Sequence, residues 1–445
     1  MNNPKNPLIL NIRDFGATGE GKENDAQFID RAIEASVKNG GGTVYFPPGV
    51  YTCGTIHVKS NVRIFIDRGA IVKLGDDDHV DDIEELTYNP HADMETTYFN
   101  CALFKLDNIH NVSIEGGGII HGNRLKRGGP KPISIKQSQR ITIRDITIKN
   151  APNYAISFID SENIAIDNAF VDSALSDGID LDGCRFVMIS NTRVNSADDG
   201  ICLKTSPALG ELIDCSNIVV TNSIITSACN CFKLGTESSG DFTDIAISNC
   251  SFHRRPLDRN PIGGVCIESV DGANINRISA SNITMDGINC PVFIRLGNRG
   301  RAQKQPTPGT LKNVLISNIV ATDASIPCIV AGIPGHAVKN IKLWDILIEY
   351  QKRAFEYVKK IPDSIDIPEA EGNYPDPRMF GALPSWGFYT RHVANISVDG
   401  LQLITAGVAI DGPACIIDDI SRGILSGISI QSDLYEGGKL TSYDF

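Results

Sequence analysis

The sequence predicts an all-β chain wound as a right-handed parallel β-helix with an N-terminal helical cap. Three observations point there. A short motif recurs along most of the chain, each copy alternates apolar and polar residues, and the stretches between copies are rich in Gly, Asn, Asp and Ser.

The repeat runs Asn/Asp–aliphatic–x–aliphatic–x–Asn/Asp–x–x–aliphatic. It appears as Asn163-Ile164-Ala165-Ile166-Asp167-Asn168 and as Asn217-Ile218-Val219-Val220-Thr221-Asn222. Further copies begin at Asp244, Asn313 and Asn340, and weaker ones at Asn111, Arg140, Phe186, Arg277 and Asn395. Marked by their first aliphatic residue (Val112, Ile141, Ile164, Val187, Ile218, Ile245), successive copies lie 29, 23, 23, 31 and 27 residues apart. Period-two alternation means a short strand with one buried face. Strand-and-turn repeats of this length stack as a solenoid, because no single coil can bury its own apolar face. The Leu-rich consensus of a leucine-rich repeat is absent, and a propeller needs antiparallel blades of about 40 residues.

The first 50 residues differ. Asp25 is placed to cap a helix ending near Asn39, where Gly40-Gly41-Gly42 stops it. An amphipathic helix here reads as a cap over the open end of the solenoid. Residues 351–387 are charged and Pro-rich and read as a long surface loop inside a single domain spanning 1–445.

Composition narrows the function. A formal net charge of −12 argues against a non-specific hold on nucleic acid or an anionic membrane, and it repels a polyanionic substrate unless local cations offset it. The twelve cysteines form no C-x-x-C pair and no dense framework, and several fall in strands, where a thiol packs as a small hydrophobe. The eight histidines are equally scattered, so neither a metal nor a cofactor is expected. No segment has signal-peptide or transmembrane character, which makes the cytoplasm the expected compartment, or the exterior if a leader has been removed. Oligomeric state is not legible.

Registering the coils by their inward aliphatics places candidate chemistry. Ile179 and Leu181 match Ile201 and Leu203, then Phe232 and Leu234, then Val265 and Ile267. Asp177, Asp199 and Asn230 then form one column on strands about 4.8 Å apart, with Asp198 beside them. Clustered carboxylates keep one member protonated near neutrality, which is what acid–base hydrolysis of a glycoside needs. Taken alone, Asp198-Asp199-Gly200 also reads as turn chemistry. Asp180 and Asp182 point outward, as solvated or substrate-facing residues.

These residues resemble glycoside hydrolase family 28, the polygalacturonase-like enzymes. The resemblance runs from Arg13-Asp14-Phe15-Gly16-Ala17 and Gly40 to Tyr51 through Ser176-Asp177-Gly178-Ile179-Asp180 and Ala197-Asp198-Asp199-Gly200-Ile201. It implies inversion at the anomeric carbon, with Asp198 as general acid and Asp177 and Asp199 positioning and deprotonating water. Two family motifs are missing. Cys229-Asn230-Cys231 stands in place of Gly-His-Gly, and Cys266-Ile267-Glu268 in place of Arg-Ile-Lys. Their absence argues against unmodified homogalacturonan and for other pectin-like or acidic substrates, polysaccharide or oligosaccharide. The run Cys231-Phe232-Lys233-Leu234-Gly235-Thr236-Glu237-Ser238 resembles a bacterial branch of the family that lacks both motifs.

Lys233 reads equally as a replacement cation and as a surface ladder with Asp180. Tyr154, one coil before Asp177, is a candidate sugar-stacking ring. Arg295, with Arg299 and Arg301, is a candidate carboxylate receptor, a surface ladder being the commoner use of such arginines, and His336 is a candidate groove residue. Trp386, Tyr389, Arg391 and His392 are candidates for a lid. Two rival readings stand beside hydrolysis: a calcium-dependent polysaccharide lyase using Asp177, Asp180, Asp182, Asp198 and Asp199, and a non-catalytic carbohydrate-binding β-helix.

Overall fold

In the computed structural model, which describes residues 8–75, 80–82, 91–256, 260–351, 367–405 and 412–432, the punctuating residues of the repeat explain the architecture. The residue that opens each copy has left-handed backbone geometry: φ is 57° at Asn163, 56° at Asn217, 58° at Asp244, 57° at Asn313 and 55° at Asn340. Asn and Asp tolerate this region best among non-glycine residues, and at these corners the chain turns from one strand to the next. The weaker copies obey the same geometry with less suited residues, φ being 55° at Arg140, 54° at Phe186 and 60° at Arg277.

Turning at every corner stacks each strand in parallel on its equivalent one coil on. The chain divides into two compact units, Met1–Asp198 with Ala208–Ile213, and Asp199–Pro207 with Asp214–Phe445. In the first, Ile141 pairs with Val112 on one side and Ile164 on the other, and Ile164 with Val187. In the second, Ile218, Ile245, Ile278, Val314, Ile341 and Ile396 form one continuous column. None of these ten is more than 3% exposed. Full burial of such a side chain contributes about 1.5–3 kcal/mol, and the column repeats it coil by coil. Parallel strands joined by crossovers of this kind wind right-handed, and the fold is a right-handed parallel β-helix.

Corner asparagines also ladder along the solenoid. The Asn282 amide donates to Asn249 at 3.0 Å and accepts from Asn318 at 2.9 Å. Asn282→Ala is expected to cost about 1–2 kcal/mol, because it removes both bonds and forces alanine to a φ of 55°. Asn282→Gly keeps the backbone geometry and loses only the ladder, so its urea midpoint should fall between those of wild type and the alanine variant.

The helix Ala26–Lys38 buries Ile29, Ala32 and Ile33 and packs on the strands Gly42–Phe46 and Ile56–His57. Its cap departs from expectation. Asp25 makes no side-chain bond to the helix; its carboxylate accepts instead from the N–H groups of Thr18 (2.8 Å) and Gly19 (3.3 Å). Asn24 supplies the cap, its Oδ1 accepting from the Ala26 N–H at 3.1 Å.

The twelve cysteines are all thiols, and only Cys229 is not buried. Burial pushes Cys250 up to about 11 and Cys328 and Cys415 up to about 12, so these groups pack as neutral hydrophobes.

Of the stretch 351–387, residues 352–366 lie outside the described residues. The remainder is more than surface loop. Ile367, Phe380 and Leu383 join Cys266, Phe293 and Ile329 in one buried cluster, so this segment covers an apolar outer face of the second unit's sheet. Among the described residues, no helix is long and apolar enough to cross a membrane.

Candidate active site

In the second unit, the strand Asn230–Ser238 pairs in parallel with Ile201–Thr205 and with Gly263–Ser269. The register is the one read from the sequence: Ile201 on Phe232 on Val265, and Leu203 on Leu234 on Ile267. With those residues facing inward, Lys233 and Glu268 take the opposite face. Asp199 enters just before the first of these strands and is 4% exposed.

A buried carboxylate needs partners, and Asp199 has three donors. Oδ1 accepts from the backbone N–H of Asn230 at 3.0 Å and from its side-chain amide at 2.7 Å. Oδ2 accepts from Lys233 Nζ at 3.1 Å. Burial pushes the Asp199 carboxyl upward, but the Lys233 ammonium and the Asn230 amide outweigh it and hold it below the usual carboxylate range. Lys233 is equally buried. Burial pulls its ammonium down, and Asp199 more than reverses this, so it titrates well above an ordinary lysine. Lys233 is therefore the buried counter-ion of Asp199 and no surface ladder. Its Nζ also donates to the Tyr374 hydroxyl at 3.4 Å, lying 5.7 Å from the centre of that ring.

In the first unit, Asp177 precedes the strand Ile179–Asp182 and is 4% exposed. Its carbonyl accepts from the Ala155 N–H at 3.1 Å, and Ile179 pairs with Ile156, so Tyr154 does lie one coil before it. Asp198 is 26% exposed. It accepts at Oδ2 from Arg127 Nη1 at 2.5 Å, and its own backbone N–H donates to the Ser176 carbonyl at 3.4 Å. Arg127 is anchored on its other edge by Glu95, with Nε–Oε1 at 2.9 Å and Nη2–Oε2 at 2.6 Å. The Ser176 hydroxyl donates to Glu95 Oε2 at 2.5 Å.

Two consecutive aspartates thus have different surroundings. Asp199 is mostly buried, ionised and fixed, whereas Asp198 is partly open and held by an exposed arginine. Carboxylates whose environments differ in this way divide between acid and base roles. The family model for Glycosyl hydrolases family 28 matches residues 85–364. The chain belongs to that family.

A second family model, rhamnogalacturonase A/epimerase, pectate lyase-like, matches residues 9–65 of this family 28 enzyme. It is 24% identical over 426 residues to a probable polygalacturonase of Vitis vinifera, covering 88% of this chain and 84% of that one. It shares its fold with the exopolygalacturonase of Thermotoga maritima, at TM-score 0.66 and 22% identity over 78% of this chain and 89% of that one. It also shares it with the family 28 exopolygalacturonase of Yersinia enterocolitica, at TM-score 0.69 and 14% identity over 98% of this chain and 79% of that one. As a member of family 28 it is a glycoside hydrolase.

Several residues expected in the hydrolase's binding site are placed otherwise. Tyr154 is 1% exposed with the Lys131 ammonium 5.1 Å from its ring centre, so it offers no face to a sugar. Arg295 is also 1% exposed. Its guanidinium donates to the carbonyls of Gly332 (2.8 Å) and Glu369 (2.6 Å), and burial pulls it down to about 10, so it ties the covering segment to the sheet. Arg299 pairs with Asp271 and Arg301 with Glu237, neither as a surface ladder. His336 is exposed at the turn Ile333–His336 and lines a cleft of about 320 Å³ with Leu296, His392 and Asp419; Asp199, Asn230 and Lys233 are not on its wall.

Asp180 and Asp182 are buried, not solvated, because the outer side of their sheet is covered; Ala92, Phe99 and Ala208 pack with Ile159 there. Trp386 and Tyr389 are buried in packing, Trp386 edge-on to Tyr350 at 5.5 Å. Arg391 and His392 both pair with Glu369, holding the covering segment in place rather than forming a lid.

Glu268, where the family has the lysine of Arg-Ile-Lys, is buried, and among the described residues its Oε2 has no hydrogen-bond partner. Burial pushes it up to about 8, with Asp199 and Asp376 adding to the effect and Lys233 and Arg299 opposing it. Its folded value lies above that of an unfolded glutamate, so the native state holds the extra proton and stability falls as pH rises from about 4.5 to about 8. Glu268→Gln should therefore match wild type in urea midpoint at pH 5 and exceed it at pH 8.5.

Proposed function

We propose that this hydrolase cleaves an acidic, pectin-like polysaccharide or its oligosaccharides with inversion, Asp198 protonating the leaving oxygen while Asp177 and Asp199 position and deprotonate water. The observation that carries this is the fixed ionisation of Asp199. A carboxylate with two Asn230 donors and a buried ammonium on it is held as a base in one orientation, while the neighbouring residue in sequence stays partly open to a ligand. Asn230 stands where the family carries the histidine of Gly-His-Gly, and here its role is to orient Asp199.

The acidic substrate is supported by local charge and by relatives that are polygalacturonases. Arg124, Lys126 and Arg127 fall within four residues of a chain whose net charge is −12, and Arg127 reaches Asp198. They offset the general repulsion at the place where catalysis is assigned.

The test is reducing-sugar release from pectic polysaccharides and their oligosaccharides, with the anomer of the first-formed product read by NMR. Release with inverted configuration is expected. Release with retention would overturn the assignment of Asp177 and Asp199 to a water molecule.

A further inference from the structure

We propose that Arg127 is the receptor for the carboxylate of an acidic sugar, and that the substrate takes the place of Asp198 on its guanidinium. This rests on Asp198 acting as the general acid. In the structure Asp198 is turned to the Arg127 guanidinium, which occupies its Oδ2, and not to a leaving oxygen. A general acid must present a proton to that oxygen, so the contact has to open in the productive complex.

The arrangement is asymmetric in a way that allows it. Glu95 holds Arg127 through two parallel bonds and is itself fixed by the Ser176 hydroxyl. Asp198 holds it through one bond only, from Nη1. Glu95 is the less exposed carboxylate, at 15% against 26% for Asp198, while the Arg127 side chain is 49% exposed. The bidentate edge is the anchor, and the single contact is the exchangeable one. The group best suited to displace a carboxylate from Nη1 is another carboxylate.

Lys126 is exposed beside Arg127. Arg124 ties the segment down by donating to the Gly75 carbonyl at 3.0 Å, so the cations border a fixed arginine rather than a loose tail. An acidic sugar would thus be read twice: once as a ligand for Arg127, and once by handing Asp198 back for protonation from solvent. A neutral sugar does neither.

The test compares de-esterified galacturonate oligosaccharides with fully methyl-esterified ones of the same length, for wild type and Arg127→Gln. The variant should lose about 10²-fold in kcat/KM on the acidic chains, the scale of a hydrogen-bonded charge pair. The esterified chains offer Arg127 no carboxylate and should lose far less, so the preference for acidic over esterified chains should fall at least about tenfold. Equal loss on both forms would make Arg127 a merely structural neighbour and overturn the proposal, as would a wild type that acts only on neutral chains.

Binding by calorimetry in the Asp198→Asn background separates this from the hydrolase assignment. Adding Arg127→Gln should weaken binding of the acidic oligosaccharide at least about tenfold and leave the esterified one unchanged. If wild type turns nothing over but this difference appears, the catalytic assignment fails and the receptor stands. Binding of the acidic chain that is indifferent to Arg127 overturns the receptor in either case. Melting temperatures of the variants show whether the fold is kept.

Discussion

Asp198→Asn should lower kcat by about 10³-fold or more and leave the fold unchanged. A positioned general acid contributes roughly 10²–10⁴-fold, and the glycosidic leaving group departs poorly without a proton. The amide has the shape of the carboxyl group but no proton of suitable acidity. The fold should survive because Asp198 is partly exposed and Arg127 keeps its two bonds to Glu95. Loss of a partly exposed ion pair of this kind costs on the order of 1 kcal/mol. Reducing-sugar release and thermal unfolding, measured on one preparation, check both halves. Turnover at a wild-type rate would remove Asp198 from the acid role. Lost turnover together with a lowered melting point would leave the loss explained by unfolding, and Asp198→Ala with a wild-type melting point would then decide it.

What the sequence made legible was whatever repeats. The strand register of the second unit could be read from Ile201, Phe232 and Val265 because a parallel solenoid aligns equivalent positions, and a one-residue slip would turn every aliphatic outward. The asparagines of the repeat mark corners for a reason internal to the backbone, their positive φ, so they too are visible without a structure. The placing of Asn230 against Asp199 followed from the same register.

What escaped was whatever comes from outside the repeat. Glu95 and Arg127 lie in segments between strands, 103 and 71 residues before Asp198, and no periodicity relates them to it. The only available signal was charge: Arg124, Lys126 and Arg127 crowd together in an acidic chain. Tyr374 and the covering segment lie outside the repeat in the same way, and they bury residues that alternation alone places in solvent. Alternation says which residues face out of a coil, but it cannot say whether the outer face is then covered. Cys266, Phe293 and Ile329 point outward and are nevertheless core, and Arg295 points outward and is 1% exposed. Asp25 failed as a cap because two better donors, the Thr18 and Gly19 N–H groups, compete for its carboxylate.

The buried ion pair of Asp199 and Lys233 is where structure and catalysis can be separated. Lys233→Met should destabilise the protein by about 3–5 kcal/mol at pH 7, since it leaves the Asp199 carboxylate buried without its ammonium. The pH dependence gives the signature. In wild type, the Asp199 contribution is present above the unfolded aspartate value and is lost only as pH falls through its depressed folded value. The Lys233 contribution is present below the unfolded lysine value and is lost only as pH rises through its raised folded value. The pair is therefore intact across the whole range from about pH 5 to 9. In Lys233→Met the Asp199 carboxyl loses its largest opposing charge, while the Asn230 amide and Lys204 still favour the ionised form, so its folded value rises. The stability that wild type gains as pH increases through the acid range is then reduced in the variant. The variant should lie closest to wild type in acid and furthest from it at neutral pH. Adding Asp199→Asn removes the charge that Lys233 balanced and should recover most of the lost stability, because a buried pair replaced on both sides costs little. It should recover no activity, because the amide cannot act as a base on water. Urea unfolding at several pH values, beside reducing-sugar release, reads both effects. A pH-independent loss in Lys233→Met would mean that the ammonium acts through packing rather than through Asp199.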